Sequence, residues 1–329
     1  MNAPPSGSTC KVLADDAHGI TEAAGYIRDG QLVAFATETV YGLGGDATDD
    51  DAVVSIFKAK GRPRFNPLIV HYADISEISR DVDFNARAQK LAAAFWPGPL
   101  SLVLPRSANC RISLMASAGM DTLAVRIPDH KTARRLIVES QTPIAAPSAN
   151  KSNHVSPTCA EHVISELGSD IAAVIDCGHC TVGIESTVLD LTVENPIVLR
   201  PGKVTIEEIT SVLGTTNVMN TGGNSPNGHD IKSPGMLERH YAPHQPLRMD
   251  AQKAEPHESL LGFGPEASHA TLNLSPSGDL DEAAANLFAM IRDLDRRDFS
   301  GIAVMPVPET GLGCAINDRL RRAAHGSSA

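Results

Sequence analysis

Between residues 18 and 214, short apolar runs of strand length alternate with amphipathic stretches of helical period, and then the alternation stops. "HGITEAAGYIRDG" predicts a helix closing on Gly30, and "QLVAFAT" a strand. Asp49 to Asp51 open a helix through "AVVSIFKAK", which Gly61 and Pro63 stop. "PLIVHY", "LSLVLP", "TLAVRIP" and "PIAAP" predict strands, interleaved with the helices "NARAQKLAAAFW" and "KTARRLIVESQ". "PTCAEHVISELG" and "TIEEITSVLG" predict two more helices, and between them "IAAVID", "STVLDL" and "PIVLR" cluster as strands. A chain that alternates early and bunches its strands late fits an α/β fold with a mixed, twisted sheet covered by helices. "GTTNVMNTGGNSPNGHDIKSPG" then brings Gly, Asn, Ser and Pro together, the composition of a linker. Beyond it, "SLLGFG", "ATLNLS", a long helix from Asp279, the strand "GIAVMPV" and the helix "AINDRLRRAA" form a second, smaller α/β unit. The expected domains are therefore 1–215, a linker at 216–245, and 246–329.

Charge narrows the function. The net charge is −11, with 18 bases against 25 acids up to residue 215 and 10 against 14 after it. Neither part offers a broad field for nucleic acid, which argues against a nucleic-acid-binding module as the main activity. Yet "KAKGRPRFNPLIVH" packs Lys58, Lys60, Arg62 and Arg64 into a stretch with no acid from Ala52 to Ala73. Lys58 and Lys60 suit a helix C-terminus, while Arg62 and Arg64 lie past the Gly61 stop. By composition the run fits either a polyphosphate site or a solvated face. "MNAPPSGSTC" lacks the basic and apolar regions of a secretory signal, and no run reaches the ~18 apolar residues of a membrane span. The expectation is a cytoplasmic protein without membrane contact.

Several motifs offer chemistry, each with an ordinary alternative. Cys177 and Cys180 form a C-x-x-C, but in a strand–turn–strand context with no second pair, so an ordinary turn is preferred over a redox or zinc site. No Walker A motif is present, and "GFGPEA" reads as a turn rather than a dinucleotide fingerprint. "ATETVYGLGGDA" reads as a glycine-rich loop at a strand end where a ligand approaches backbone. "APSANKSNHVSPT" supplies neutral hydrogen-bonding groups, and "GIESTVLDL" and "VLRPG" place Ser186 and Arg200 at strand ends. What they share is that placement at strand ends.

In this order and spacing, "TETVYGLG", "KGRPRFNPLIVH", "PSAN", "GIESTVLDL" and "LRPG" resemble the YrdC-like threonylcarbamoyl-adenylate synthases. "SPGMLERHYAP" and "GLGCAINDRLRRAA" resemble the long form of that family, whose second domain is Rossmann-like. The resemblance implies that L-threonine, bicarbonate and ATP are joined into threonylcarbamoyl-AMP with release of pyrophosphate. It implies Mg²⁺ on the triphosphate, without fixed protein ligands. A separate tRNA threonylcarbamoyl transferase complex would then modify the adenosine beside the anticodon, so tRNA is reached indirectly. Carried over, Thr39, His71, Arg126, Ala146 and Ser186 would hold threonine. Lys60, Arg62, Asn66, Thr122, Ser148, Asn150, Ser156, Arg200, Arg239 and Tyr241 would serve ATP. No covalent nucleophile is expected. The linker would act as a lid, in which Glu238 stands where the family often has an aromatic residue. A hydrogenase-maturation carbamoyltransferase, which contains a similar domain, is disfavoured by the chain's length and its single C-x-x-C.

Overall fold

The computed structural model describes residues 10–220, 233, 240–295 and 298–325. Its elements run β1 (Lys11–Ala14), α1 (Ala17–Arg28), β2 (Val33–Ala36), β3 (Tyr41–Asp46), α2 (Asp50–Lys60), β4 (Ile69–His71), α3 (Ile75–Asp81) and α4 (Ala86–Phe95). There follow β5 (Leu100–Pro105), β6 (Thr122–Arg126), α5 (Lys131–Ser140), β7 (Ile144–Ala145), α6 (Ala160–Leu167), β8 (Ala173–Asp176), β9 (Thr187–Asp190), β10 (Ile197–Arg200), α7 (Ile206–Leu213) and β11 (Met219–Asn220). The remainder is β12 (Leu247–Arg248), β13 (Glu258–Gly262), β14 (Leu272–Asn273), α8 (Leu280–Asp295), β15 (Gly301–Val304) and α9 (Leu312–His325).

Among the described residues the first eleven strands form one mixed sheet, ordered β1-β8-β2-β3-β7-β4-β6-β5-β9-β10-β11. Alternation along β2 shows how both faces are covered. Val33 and Phe35 join Ile20, Ile27 and Leu136 of α1 and α5 on one side. Ala34 and Ala36 join Val53, Ile56, Leu91 and Val163 of α2, α4 and α6 on the other. Period two with both neighbours apolar is what a sheet buried on two faces demands. The second sheet is parallel throughout, ordered β12-β15-β13-β14. Helices α8 and α9 cover one face, with Leu287, Phe288, Ile316 and Leu320 against Leu261 and Ile302.

Most predicted elements stand where the periodicity placed them, with three differences. The stretch read as a glycine-rich loop is largely the strand β3, paired antiparallel with β2 so that Phe35 faces Gly42. Its Gly44 is required by packing: a Cβ there would lie 2.6 Å from the Phe35 ring and 2.9 Å from an Ile144 methyl. The strands β1 and β12 and the helix α3 were not foreseen, being short and carrying little periodic signal. Finally, β11 pairs with β10, so the large sheet reaches past residue 215 into the segment read as linker. Glu238, Arg239 and most of the expected lid lie outside the described residues.

Register brings the site together. In the parallel pair β4/β6, His71 is the partner of Arg126, at the carboxyl ends of both strands. β5 and β9 are also parallel, which sets Ser186 just before Thr187 beside Pro99 and Leu100. α2 begins on Asp49, whose side chain accepts from the Asp51 amide, and ends on Gly61 in the left-handed region at φ 60. That stop turns Arg62 inward.

Candidate functional site

Thr37, Thr39, Val40, Gly42, Arg62, Ile69, His71, Arg126, Ala146, Pro147, Ser148, Glu185, Ser186, Arg200, His240 and Tyr241 line one cavity at these strand ends. The β2–β3 turn supplies its threonines: the Thr37 and Thr39 hydroxyls are 2.7 Å apart, and Thr37 Oγ1 also donates to Val40 O at 2.8 Å. Arg126 spans the floor. Its Nε donates to Gly98 O at 3.1 Å, Nη1 to Thr39 Oγ1 at 3.1 Å, and Nη2 to Glu38 Oε1 at 2.5 Å. Ser186 is held on two sides, 2.8 Å from Ser101 Oγ and 3.1 Å from Arg200 Nη2.

The acid-free run divides into two pairs. Lys58 and Arg64 are exposed, whereas Lys60 and Arg62 are buried. Arg62 donates from Nε to Asn66 O at 3.1 Å and from Nη2 to Pro67 O at 2.9 Å. Burial, reinforced by the neighbouring Arg200 charge, lowers it to about 9. Lys60 does not line the cavity. Its Nζ donates to Ser148 O at 2.6 Å and also to Asn150 O, clamping the "PSAN" loop from behind. Burial and then Arg62 lower its pKa well below the ordinary lysine value. His71 is lowered to about 3 by burial, with Arg126 adding to it, so its imidazole is neutral. Glu185 is the counter-charge. Burial alone would raise it, but Arg319, Arg200 and a hydrogen bond from Ser156 hold it at about 2.

All five residues expected on the threonine side meet in this cavity, as do Arg62, Ser148, Arg200 and Tyr241. Asn66, Asn150 and Ser156 are buried one layer behind it, and Thr122 sits at the far, amino-terminal end of β6 opposite Pro105. Arg239 lies outside the described residues. Glu38, Glu185 and Arg319 escaped the sequence reading. The first two stand inside the quoted "TETVYGLG" and "GIESTVLDL" motifs, and an acid entering an apolar strand was the available signal. Arg319 lies among Ile316, Leu320 and Ala323 on the buried side of α9.

Several buried polar atoms here have no hydrogen-bond partner: Glu38 Oε2, Asn66 Oδ1, His71 Nδ1, Asn150 Oδ1, His240 Nδ1 and the Tyr241 hydroxyl. Buried polar groups are ordinarily satisfied, so this concentration marks a place built for a polar ligand. Three guanidinium groups in one narrow cleft attract anions, and neutral His71 with the Thr37 and Thr39 hydroxyls adds uncharged contacts. The Cys177 and Cys180 thiols are free, and burial pushes both up, away from a reactive thiolate. Among the described residues no group of three His, Cys, Asp or Glu is placed to hold a metal ion. No helix among them is long and apolar enough to cross a membrane.

This mixed sheet with a parallel α/β domain appended is shared with known proteins. A family model described as "Telomere recombination", for the Sua5, YciO and YrdC proteins, matches residues 25–202. A second, described as "Threonylcarbamoyl-AMP synthase, C-terminal domain", matches residues 204–325. The chain belongs to the Sua5/YciO/YrdC family, in the form that carries this C-terminal domain. Among its relatives, the threonylcarbamoyl-AMP synthase of Pyrococcus abyssi is 42% identical over 92% of this chain and 93% of its own. That of Bacillus subtilis is 41% identical, with 93% of each chain covered. The crystal structure of P. abyssi Sua5 complexed with L-threonine superposes with a TM-score of 0.88 at 39% identity, covering 97% of this chain and 98% of the other.

Proposed function

We propose that this protein is an enzyme that joins L-threonine, bicarbonate and ATP into threonylcarbamoyl-AMP and releases pyrophosphate. One observation carries the reading: Thr39, His71, Arg126, Ala146 and Ser186 converge with Arg62 and Arg200 in one cavity. The fold around that cavity matches a threonine-bound relative over nearly its full length. The reaction is a nucleotidyl transfer. The threonine amine attacks the bicarbonate carbon to give a carbamate, with loss of water. A carbamate oxygen then attacks the α-phosphorus, and the bond to the bridging oxygen of pyrophosphate breaks. Carboxylate, carbamate and triphosphate are all anions, so their approach needs the positive charge that Arg62, Arg126 and Arg200 supply. Arg126 and Ser186 hold the threonine carboxylate, while Thr39 and neutral His71 face its hydroxyl and amine. Glu38 anchors Arg126 through its Oε1. On the ATP side, Arg62, Arg200 and Ser148 meet the phosphates, Asn66, Asn150 and Ser156 support them from the layer behind, and Lys60 shapes the loop. Mg²⁺ bound to the triphosphate, without fixed protein ligands, would supply further screening of its charge.

His240 and Tyr241 occupy part of the cleft, and the remaining cavity has a volume of about 40 Å³. That admits a few waters and no nucleotide. His240 and Tyr241 are accordingly read as the part of a lid that withdraws for ATP and returns to exclude water from the carbamate and the adenylate. The product passes to a tRNA threonylcarbamoyl transferase complex in the cytoplasm. The test follows ATP cleavage with each substrate omitted in turn. Pyrophosphate appears only with threonine and bicarbonate both present; orthophosphate, or turnover without threonine, refutes the assignment.

A further inference from the structure

The two domains share one apolar cluster, in which Val40, Val155 and Ile184 of the large domain pack with Leu287, Phe288 and Ile316 of the small one. Such a cluster suffices to dock them. Yet the same interface buries charge. Arg319 of α9 has a fully buried side chain whose Nε donates to Glu185 Oε2 at 2.8 Å, while Nη1 is tied to Asp318 at 2.8 Å. Its guanidinium carbon also stands 5.2 Å from the centre of the Tyr241 ring. The other oxygen of Glu185 accepts from the Ser156 hydroxyl. From α8, Arg292 donates to Ser156 O at 3.4 Å, to Val155 O, and to Glu166 Oε1 at 2.5 Å. Replacing buried ion pairs by apolar side chains is often neutral or stabilising, so docking alone does not call for these.

We propose that the small domain positions the ATP side of the catalytic cleft, with Arg319 setting the Ser156 hydroxyl through Glu185 and Arg292 setting the Ser156 carbonyl. Both arginines are positioning residues, and the small domain is thereby part of the ATP site. The proposal rests on Ser156 being an ATP-side residue, as read above. It gives the two arms different dependence on the Ser156 side chain. The Arg319 arm acts on a hydroxyl that Ser156→Ala removes, whereas the Arg292 arm acts on backbone that Ser156→Ala keeps.

The experiment measures pyrophosphate release by the full-length protein, with ATP varied at saturating threonine and bicarbonate, and threonine varied at saturating ATP. Arg319→Lys keeps the charge and loses the fork. It is expected to raise KM for ATP about tenfold and to move KM for threonine by less than about twofold. In a Ser156→Ala background Arg319→Lys adds less than about twofold, while Arg292→Lys keeps its full effect. Because breaking one side of a buried pair endangers folding, Arg319→Met with Glu185→Gln is measured alongside. That neutral pair is expected to melt near the parent temperature and still show the raised KM for ATP. Folded variants with unchanged KM for ATP, or equal rises for both substrates, overturn the proposal. So does a neutral pair that fails to fold, since Arg319 then only maintains the fold. Ser156→Ala with normal KM for ATP would instead remove the ATP-side reading of Ser156 and the proposal with it. A raised KM in Ser156→Ala with a normal one in Arg319→Lys removes the positioning role alone.

Discussion

Arg62→Met separates the cost of the basic pocket from its use. Arg62 is 7% exposed and falls from 12.5 to about 9 through burial and the Arg200 charge. At ~1.4 kcal/mol per pKa unit, carrying that charge at neutral pH costs the fold on the order of 5 kcal/mol. Methionine removes the charge at similar length. It also strands the Asn66 and Pro67 carbonyls that Arg62 satisfies, each at ~1–3 kcal/mol. These effects oppose one another, so the melting temperature at pH 7 moves by no more than about 5 °C. ATP binding has no such offset, because a charge-assisted phosphate contact contributes ~1.5–3 kcal/mol, so KM for ATP rises roughly ten- to hundredfold. The pH dependence has a definite sign. A base whose folded pKa is depressed disfavours the folded state at every pH below that pKa, and the penalty fades as pH climbs above it. The stability of Arg62→Met relative to the parent is therefore highest below about pH 9 and declines from there upward. Melting curves at pH 7 and pH 10, with ATP titrations by pyrophosphate release, check both halves. A normal KM for ATP, or a relative stability that rises above pH 9, refutes the account.

His71, lowered to about 3 by burial with Arg126 adding to it, stays neutral, so kcat/KM for threonine shows no histidine-like step between about pH 5 and 8 that His71→Gln abolishes. Finding such a step, lost in the variant, would assign His71 a proton-transfer role. Gly44→Ala drives a Cβ to 2.6 Å from the Phe35 ring and should destabilise the chain by ~1–3 kcal/mol in chemical denaturation; a neutral substitution would mean that β2 and β3 have room to part. Cys177→Ser with Cys180→Ser leaves pyrophosphate release near that of the parent, and a folded but inactive double variant would restore a redox or metal role.

Hydrophobic period and stop signals fixed the order of helices and strands, because both are local. The apolar run in "QLVAFAT", the Asp49 cap and the Gly61 stop need only neighbouring residues, and each stands where it was read. Site residues carried by whole motifs were legible too, since strand ends gather whatever side chains follow them. Tertiary structure alone decided which of those residues face the cavity. Four consecutive-looking bases split into two solvated and two buried, because Lys60 falls on the buried side of α2 and Arg62 is turned inward past the left-handed Gly61, and no composition count contains that geometry. β3 passed for a loop because its glycines answer to Phe35 and Ile144 across the sheet, not to their own neighbours. Glu185 and Arg319 lie 134 positions apart. Their pairing exists only after two separately patterned domains have closed on one apolar cluster, and no local pattern records such an encounter.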